Sequence, residues 1–149
     1  MFQGTTALTL DAKGRLAIPA RHRESLAAVS GGHLVMTAHP HGCLLLFPEK
    51  VWAPIREQVL KAPSFDRNAA AIKRTLIGQA LDMEMDSAGR LLVTPELREH
   101  AGIDKSVRFV GLGTHFEIWS DEGWKKQGET ATAALAGGQP PAGFEGIAL

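Results

Sequence analysis

The stretch Leu10–Arg23, "LDAKGRLAIPARHR", has a near-copy in Met85–Glu99, "MDSAGRLLVTPELRE". At an offset of 75, Asp11, Gly14, Arg15, Leu16 and Ile18 match Asp86, Gly89, Arg90, Leu91 and Val93, and Arg23-Glu24 matches Arg98-Glu99. Leu8 and Leu10 match Met83 and Met85; further on, at an offset of 72, Phe47, Glu49 and Trp52 match Trp119, Asp121 and Trp124. A repeat of this kind is read before any local structure. In each copy Asp favours a turn, because its carboxylate bonds the backbone two residues on. Gly14 and Gly89 supply the positive φ that such a turn requires.

Around each turn the pattern is that of strands. Thr6, Leu8 and Leu10 alternate with Thr5, Ala7 and Thr9, and Leu81, Met83 and Met85 alternate with Asp82 and Glu84. That period of two predicts half-buried strands, which resume at "RLAI" and "RLLV". Pro19 ends the first of these and leads into the helical "ARHRESLAAV". Pro95 opens a short helix that stops at Gly102. Hairpins follow, turning at His39-Pro40-His41-Gly42 and at Gly113-Thr114. Between the copies, Val51, Trp52, Ile55 and Val59 predict one helix, and Ala69, Ile72, Leu76 and Ala80 a second, capped by Asp66 and separated at Pro63. The Gly-, Ala- and Pro-rich end reads as a flexible tail. The chain thus divides into a first repeat over 1–53, a helical insert over 54–79, a second repeat over 80–127 and the tail over 128–149. With 149 residues, two halves that share one core are more economical than two that each build their own.

Composition narrows the function classes. Net charge is zero, but residues 1–75 carry 10 basic and 5 acidic residues, and residues 76–149 carry 6 and 11. One half could face an anionic partner while the other does not. The lone Cys43 excludes an intrachain disulfide and suits a reducing compartment. No signal peptide and no membrane-spanning run is evident.

These residues carry a resemblance. The two Asp-x-x-Gly-Arg turns, the "LRE" after the second, "SFDRNAAAIKRTLIGQA" between them and "FEIWSDEGW" near the end resemble the MraZ family of bacterial regulators associated with the division and cell-wall gene cluster. The likeness covers about residues 1–126. It implies an α+β, mainly β fold: a swapped-hairpin, double-split β-barrel of the AbrB/MazE type, built from the two internal repeats with short helices. It also implies homo-oligomeric rings in the cytoplasm, on the nucleoid, that bind tandem short repeats in promoter DNA and regulate transcription, usually as repressors. No cofactor, small-molecule substrate or membrane partner is implied, and the chain is not expected to be an enzyme.

A two-stranded ribbon fits the major groove, where the planar fork of Arg15 can grip guanine O6 and N7 together. Lys13 supplies a compact charge for phosphate, and Arg21 and Arg23 are secondary phosphate candidates. Asp11, acceptor-only and repelled by phosphate, shapes the turn with Gly14, as Asp86 and Gly89 do in the second copy. Arg90 is also a DNA candidate, but Ala88 replaces the lysine and Asp82 and Glu84 lie nearby. For Arg15 the competing reading is an ion pair with Asp11 that merely closes the hairpin. The alternative function is an antitoxin-like protein-interaction module, its tail folding on a partner. A small metal enzyme using His39, His41 and Cys43 is a third reading, weakened because "HPHG" reads as a turn and supplies only three local ligands. His22, His33, His100 and His115 look scattered, Gly111-Leu112-Gly113 is too short for a nucleotide loop, and Trp52 and Trp124 read as packing residues.

Overall fold

A computed structural model describes residues 1–148. The first repeat forms β1 (Phe2–Thr9), β2 (Arg15–Ala17), α1 (Ala20–Val29), β3 (Leu34–Ala38), β4 (Leu44–Pro48) and α2 (Glu49–Leu60). After α3 (Arg67–Leu76) the second repeat runs through β5 (Leu81–Met83), β6 (Arg90–Leu92), α4 (Pro95–Ala101), β7 (Ser106–Gly113), β8 (Phe116–Ser120) and α5 (Asp121–Ala136).

The repeats exchange strands. The six-stranded sheet has the order β1-β7-β8-β4-β3-β5, antiparallel throughout. β1 of the first repeat therefore pairs with β7 of the second, and β5 of the second with β3 of the first. The order reads the same from either edge once equivalent strands are matched, so a pseudo-twofold passes between β4 and β8. β2 and β6 leave the sheet and, among the described residues, pair only with each other. The result is mixed α and β with a mostly antiparallel sheet, but an open sheet and a separate ribbon stand where a closed barrel was expected. The Asp-x-x-Gly-Arg turns follow β1 and β5 and lead the chain into the ribbon, and among the described residues the outer edges of β1 and β5 are unpaired.

The ribbon closes over the core instead. Leu16, Ile18, Leu91 and Val93 are fully buried with Leu34, Met36, Leu44, Leu46, Phe109, Phe116 and Ile118. Burying each such side chain contributes about 1.5–3 kcal/mol. On the other face of the sheet, α2 and α3 cover Val35, Leu45 and Phe47, with Trp52 at the centre. α5 covers Cys43, Val110 and Trp119 by way of Trp124. Thus Trp52 and Trp124 pack in equivalent places.

Local signals explain the start of α3 and both ends of α4. Asp66 caps α3 by accepting from the Ala69 amide at 2.8 Å. Thr94 caps α4, Pro95 opens it, and Gly102 closes it in the left-handed region at φ 63°. Three expectations are corrected. Ile72 is 46% exposed. Lys73 reaches back to the carbonyl of Ala62 at 2.7 Å, and Ala70 rather than Ala69 is the buried residue of α3, so Ile72 is turned outward. Leu81 is 39% exposed because β5 is a three-residue edge strand with no neighbour beyond it. Finally, α5 continues to Ala136, so residues 128–136 are helical where composition suggested an irregular tail. Ala131, Ala133, Ala134 and Ala136 are strong helix formers, and Gly137-Gly138 ends the run. Among the described residues no helix is long and apolar enough to cross a membrane.

Candidate nucleic-acid interface

Each turn is built in the same way. Oδ1 of Asp11 accepts from the amides of Lys13 and Arg15, both at 2.9 Å, and Oδ2 accepts from Nε of Arg15 at 2.7 Å. Asp86 repeats this with the amides of Ala88 and Arg90 and with Nε of Arg90 at 2.8 Å. These bonds favour the carboxylate form, so both aspartates titrate below the usual range, the backbone amide of Arg15 or Arg90 being the largest cause. Gly14 and Gly89 lie at φ 83° and 74°, where a side chain would be strained.

The ribbon knits the two turns together. Arg15 pairs with Leu92, Leu16 with Leu91 and Ala17 with Arg90. Beyond the strands, the Ile18 amide donates to the Gly89 carbonyl and the Val93 amide to the Gly14 carbonyl, both at 2.9 Å. Alternation sends Leu16 and Leu91 into the core and leaves Arg15, Ala17, Arg90 and Leu92 on the outer face. Arg15 and Arg90 thus emerge side by side from one surface, each side chain about one-third exposed. Nη1 of Arg90 comes within 4.0 Å of Oδ2 of Asp11, so that carboxylate lies between both guanidinium groups.

The aspartates hold Nε, the inner nitrogen of each guanidinium. Among the described residues, no hydrogen bond engages the Nη groups of Arg15 or Arg90. The ion pair that would close a hairpin and a fork able to grip a planar edge therefore coexist. Lys13 stands exposed on the first turn. Arg21 is exposed on α1 and donates to Oγ1 of Thr6 at 2.5 Å, tying α1 to β1. Arg23 is only part-exposed, its Nε donating to the Ile18 carbonyl at 2.7 Å. Arg98 does the same to the Val93 carbonyl at 3.1 Å. The sequence reading passed over Arg98 as a site residue, although its match to Arg23 was the available signal. The strand exchange brings the two turns into one ribbon, so the basic and acidic halves of the sequence interleave there.

The histidines are less scattered than their spacing suggests. Nε2–H of His100 donates to the His39 carbonyl at 2.7 Å, and the rings of His39 and His41 lie 4.5 Å apart. Burial lowers the basicity of His39, with His41, His100 and His115 adding to the effect and Glu117 opposing it. Cys43 is buried beside Val110 and Trp119, and its thiol is pushed up to about 12 by burial first and Glu117 second. Among the described residues no group of three or more His, Cys, Asp or Glu is arranged to hold a metal ion.

Comparison with known proteins agrees with the duplicated architecture. A model of the family described as "MraZ protein, putative antitoxin-like" matches residues 1–75 and again residues 76–137. A protein of Dechloromonas aromatica (strain RCB) named "Transcriptional regulator MraZ" is 61% identical over the full length of both chains. A namesake from Methylobacillus flagellatus is 57% identical over 85% of this chain and 86% of its own, and one from Azoarcus sp. (strain BH72) is 54% identical over the whole of both. With two matches that together span most of its length and relatives this similar, the chain belongs to the MraZ family.

Proposed function

We propose that this chain is a transcriptional regulator that binds double-stranded DNA through the outer face of the β2–β6 ribbon. The observation that carries the reading is the pair of guanidinium groups, Arg15 and Arg90, each steered by an aspartate at Nε and, among the described residues, with no hydrogen bond at its outer nitrogens. The relatives' name, transcriptional regulator, supports the same conclusion. In finer detail, Arg15 grips a guanine edge in the major groove and Lys13 contacts phosphate. Arg90 takes the second position on the ribbon, and Arg21 and Arg23 flank it. Asp11 and Asp86, with Gly14 and Gly89, shape the turns.

One ribbon offers few contacts and binds weakly. A ring of identical subunits raises the effective concentration of each next ribbon when the DNA repeats match its spacing. We therefore assign the chain tandem promoter repeats as its target, a ring homo-oligomer as its working form, and repression of the division and cell-wall gene cluster on the nucleoid as its role. The crosswise pairing of β1 with β7 and of β5 with β3 supports a swapped-hairpin fold of the AbrB/MazE type. Fluorescence anisotropy on promoter DNA with tandem repeats tests the reading. The parent binds at low salt and Arg15→Ala does not; equal binding by both, or none by either, refutes it.

An antitoxin-like interaction module is the second reading, favoured by Leu135, Phe144 and Ile147, which stand exposed in the last fifteen residues. A pull-down with and without residues 128–149 tests it: a partner lost with the tail supports the module.

A further inference from the structure

We infer that each turn of the DNA-facing ribbon is completed by an arginine from the opposite repeat, Arg98 behind the Asp11–Arg15 turn and Arg23 behind the Asp86–Arg90 turn, both as phosphate-binding residues. The inference rests on the DNA reading above; it adds Arg98 to that surface and assigns Arg23 to the turn of the opposite repeat, in a crossed arrangement.

Three observations carry it. The first is position. A Cβ built on Gly14 would lie 3.3 Å from Cζ of Arg98, and one built on Gly89 would lie 2.9 Å from Cζ of Arg23. Each guanidinium therefore packs directly on the glycine of the other repeat's turn, where the missing side chain leaves the backbone open to close approach. The second is incomplete satisfaction. Nε of each arginine is used on a carbonyl of its own repeat, Val93 for Arg98 and Ile18 for Arg23. Among the described residues neither guanidinium meets a carboxylate, whereas Arg15, Arg56, Arg90 and Arg108 all do. A part-buried charge without a counter-ion is costly, and a phosphate oxygen at the turn would supply one. The third is duplication: the same bond and the same glycine contact occur twice, at the repeat offset.

The chemistry favours phosphate over a base. Arg15 and Arg90 project from the ribbon's outer face, but Arg23 and Arg98 are drawn back against the turn backbone by their Nε bonds. A recessed cation that covers the buried glycine of a turn and, among the described residues, keeps its outer nitrogens free suits the DNA backbone that flanks an inserted ribbon. The two turns then differ in what else they hold. The first has Lys13 as well as Arg98, while the second has Ala88 and depends on Arg23 alone.

The test is a salt series of dissociation constants, on tandem-repeat promoter DNA and on an unrelated duplex, with melting followed in parallel. Arg98→Met and Arg23→Met keep the aliphatic stem and remove the charge. Each is expected to weaken binding about tenfold on both DNAs and to reduce the slope of log K against log salt by about one per ribbon engaged. Arg98→Lys and Arg23→Lys restore the slope. Arg98→Gln and Arg23→Gln, which keep a donor for the carbonyl, give the same measurement if the Met variants melt early. A parent-like slope in the charge-free variants overturns the inference and leaves these arginines as props for the turns. A parent that binds no duplex overturns the DNA reading, and this inference with it.

Discussion

Arg15 and Asp11 form a two-point lock: one carboxylate oxygen takes the backbone amide of Arg15 and the other takes its Nε, at 2.9 and 2.7 Å. Turn and side chain are fixed by separate oxygens, so they can be separated by mutation. Asp11→Asn keeps an oxygen for the two amides but loses the charged acceptor for Nε. It is expected to melt within a few degrees of the parent and to bind tandem-repeat DNA about tenfold more weakly, because Arg15 loses its orientation. Asp11→Ala is expected to lose stability as well. Calorimetry alongside anisotropy separates the two effects.

The same lock sets a pH dependence. Asp11 and Asp86 titrate lower in the fold than in the unfolded chain. Their contribution is therefore complete above the unfolded carboxylate range, near pH 4, and is lost as the pH falls through the folded values. Urea midpoints measured between pH 2 and 5 should fall less steeply for the double variant Asp11→Asn/Asp86→Asn than for the parent.

Gly14 and Gly89 are equivalent by sequence but not equally tolerant. Both hold positive φ, but a Cβ at Gly89 would come 2.5 Å from Nε of Arg23, against 3.3 Å from the nearest atom at Gly14. Gly89→Ala is expected to cost about 2–3 kcal/mol and Gly14→Ala about 1 kcal/mol, read from denaturant unfolding. Equal costs would mean that Arg23 moves aside freely.

The two matched tryptophans offer a similar contrast. Trp52 is 2% exposed between α2 and the sheet, while Trp124 is only partly buried against Trp119. Trp52→Ala is expected to cost about 3–5 kcal/mol, and Trp124→Ala less than half of that.

His22 is buried among Phe2, Phe109 and Phe116, and its Nε2 meets no hydrogen-bonding partner among the described residues. Its repeat equivalent is Leu97, also buried. Burial first, and Arg21 second, lower its basicity. The unfolded chain then binds the proton more readily, so stability declines as the pH drops below about 6.5. His22→Leu is expected to stabilise the fold by about 1 kcal/mol at pH 8 and by more at pH 5. A thermal melt at the two values checks both the sign and the trend.

How far the sequence could be read follows from the range of each interaction. The turns were legible because Asp11 bonds residues two and four positions away, and that spacing is visible in the string. The caps at Asp66 and Gly102 are equally local. Ile72 turns outward and Leu81, though on the core-facing side of β5, stays exposed, because these outcomes depend on Lys73 reaching to Ala62 and on β5 lying at a sheet edge. The pairing of β1 with β7 joins residues about a hundred positions apart, and no periodicity announces it. The outward direction of Arg15 was within reach from alternation with Leu16, but the clasp of Arg23 on Gly89 required the fold.

The crossed strands also constrain how the protein is born. On a ribosome the β3–β4 hairpin can form early, since its partners are neighbours in the chain. β1 finds its partner only when residues 106–113 have left the exit tunnel. Until then Phe2, Leu8 and Leu10 have no sheet to complete, and the nascent chain carries an unshielded β segment while about a hundred further residues are made. The strand that closes the sheet is β8, which joins β7 to β4 and so unites the two halves only once Phe116–Ser120 have emerged.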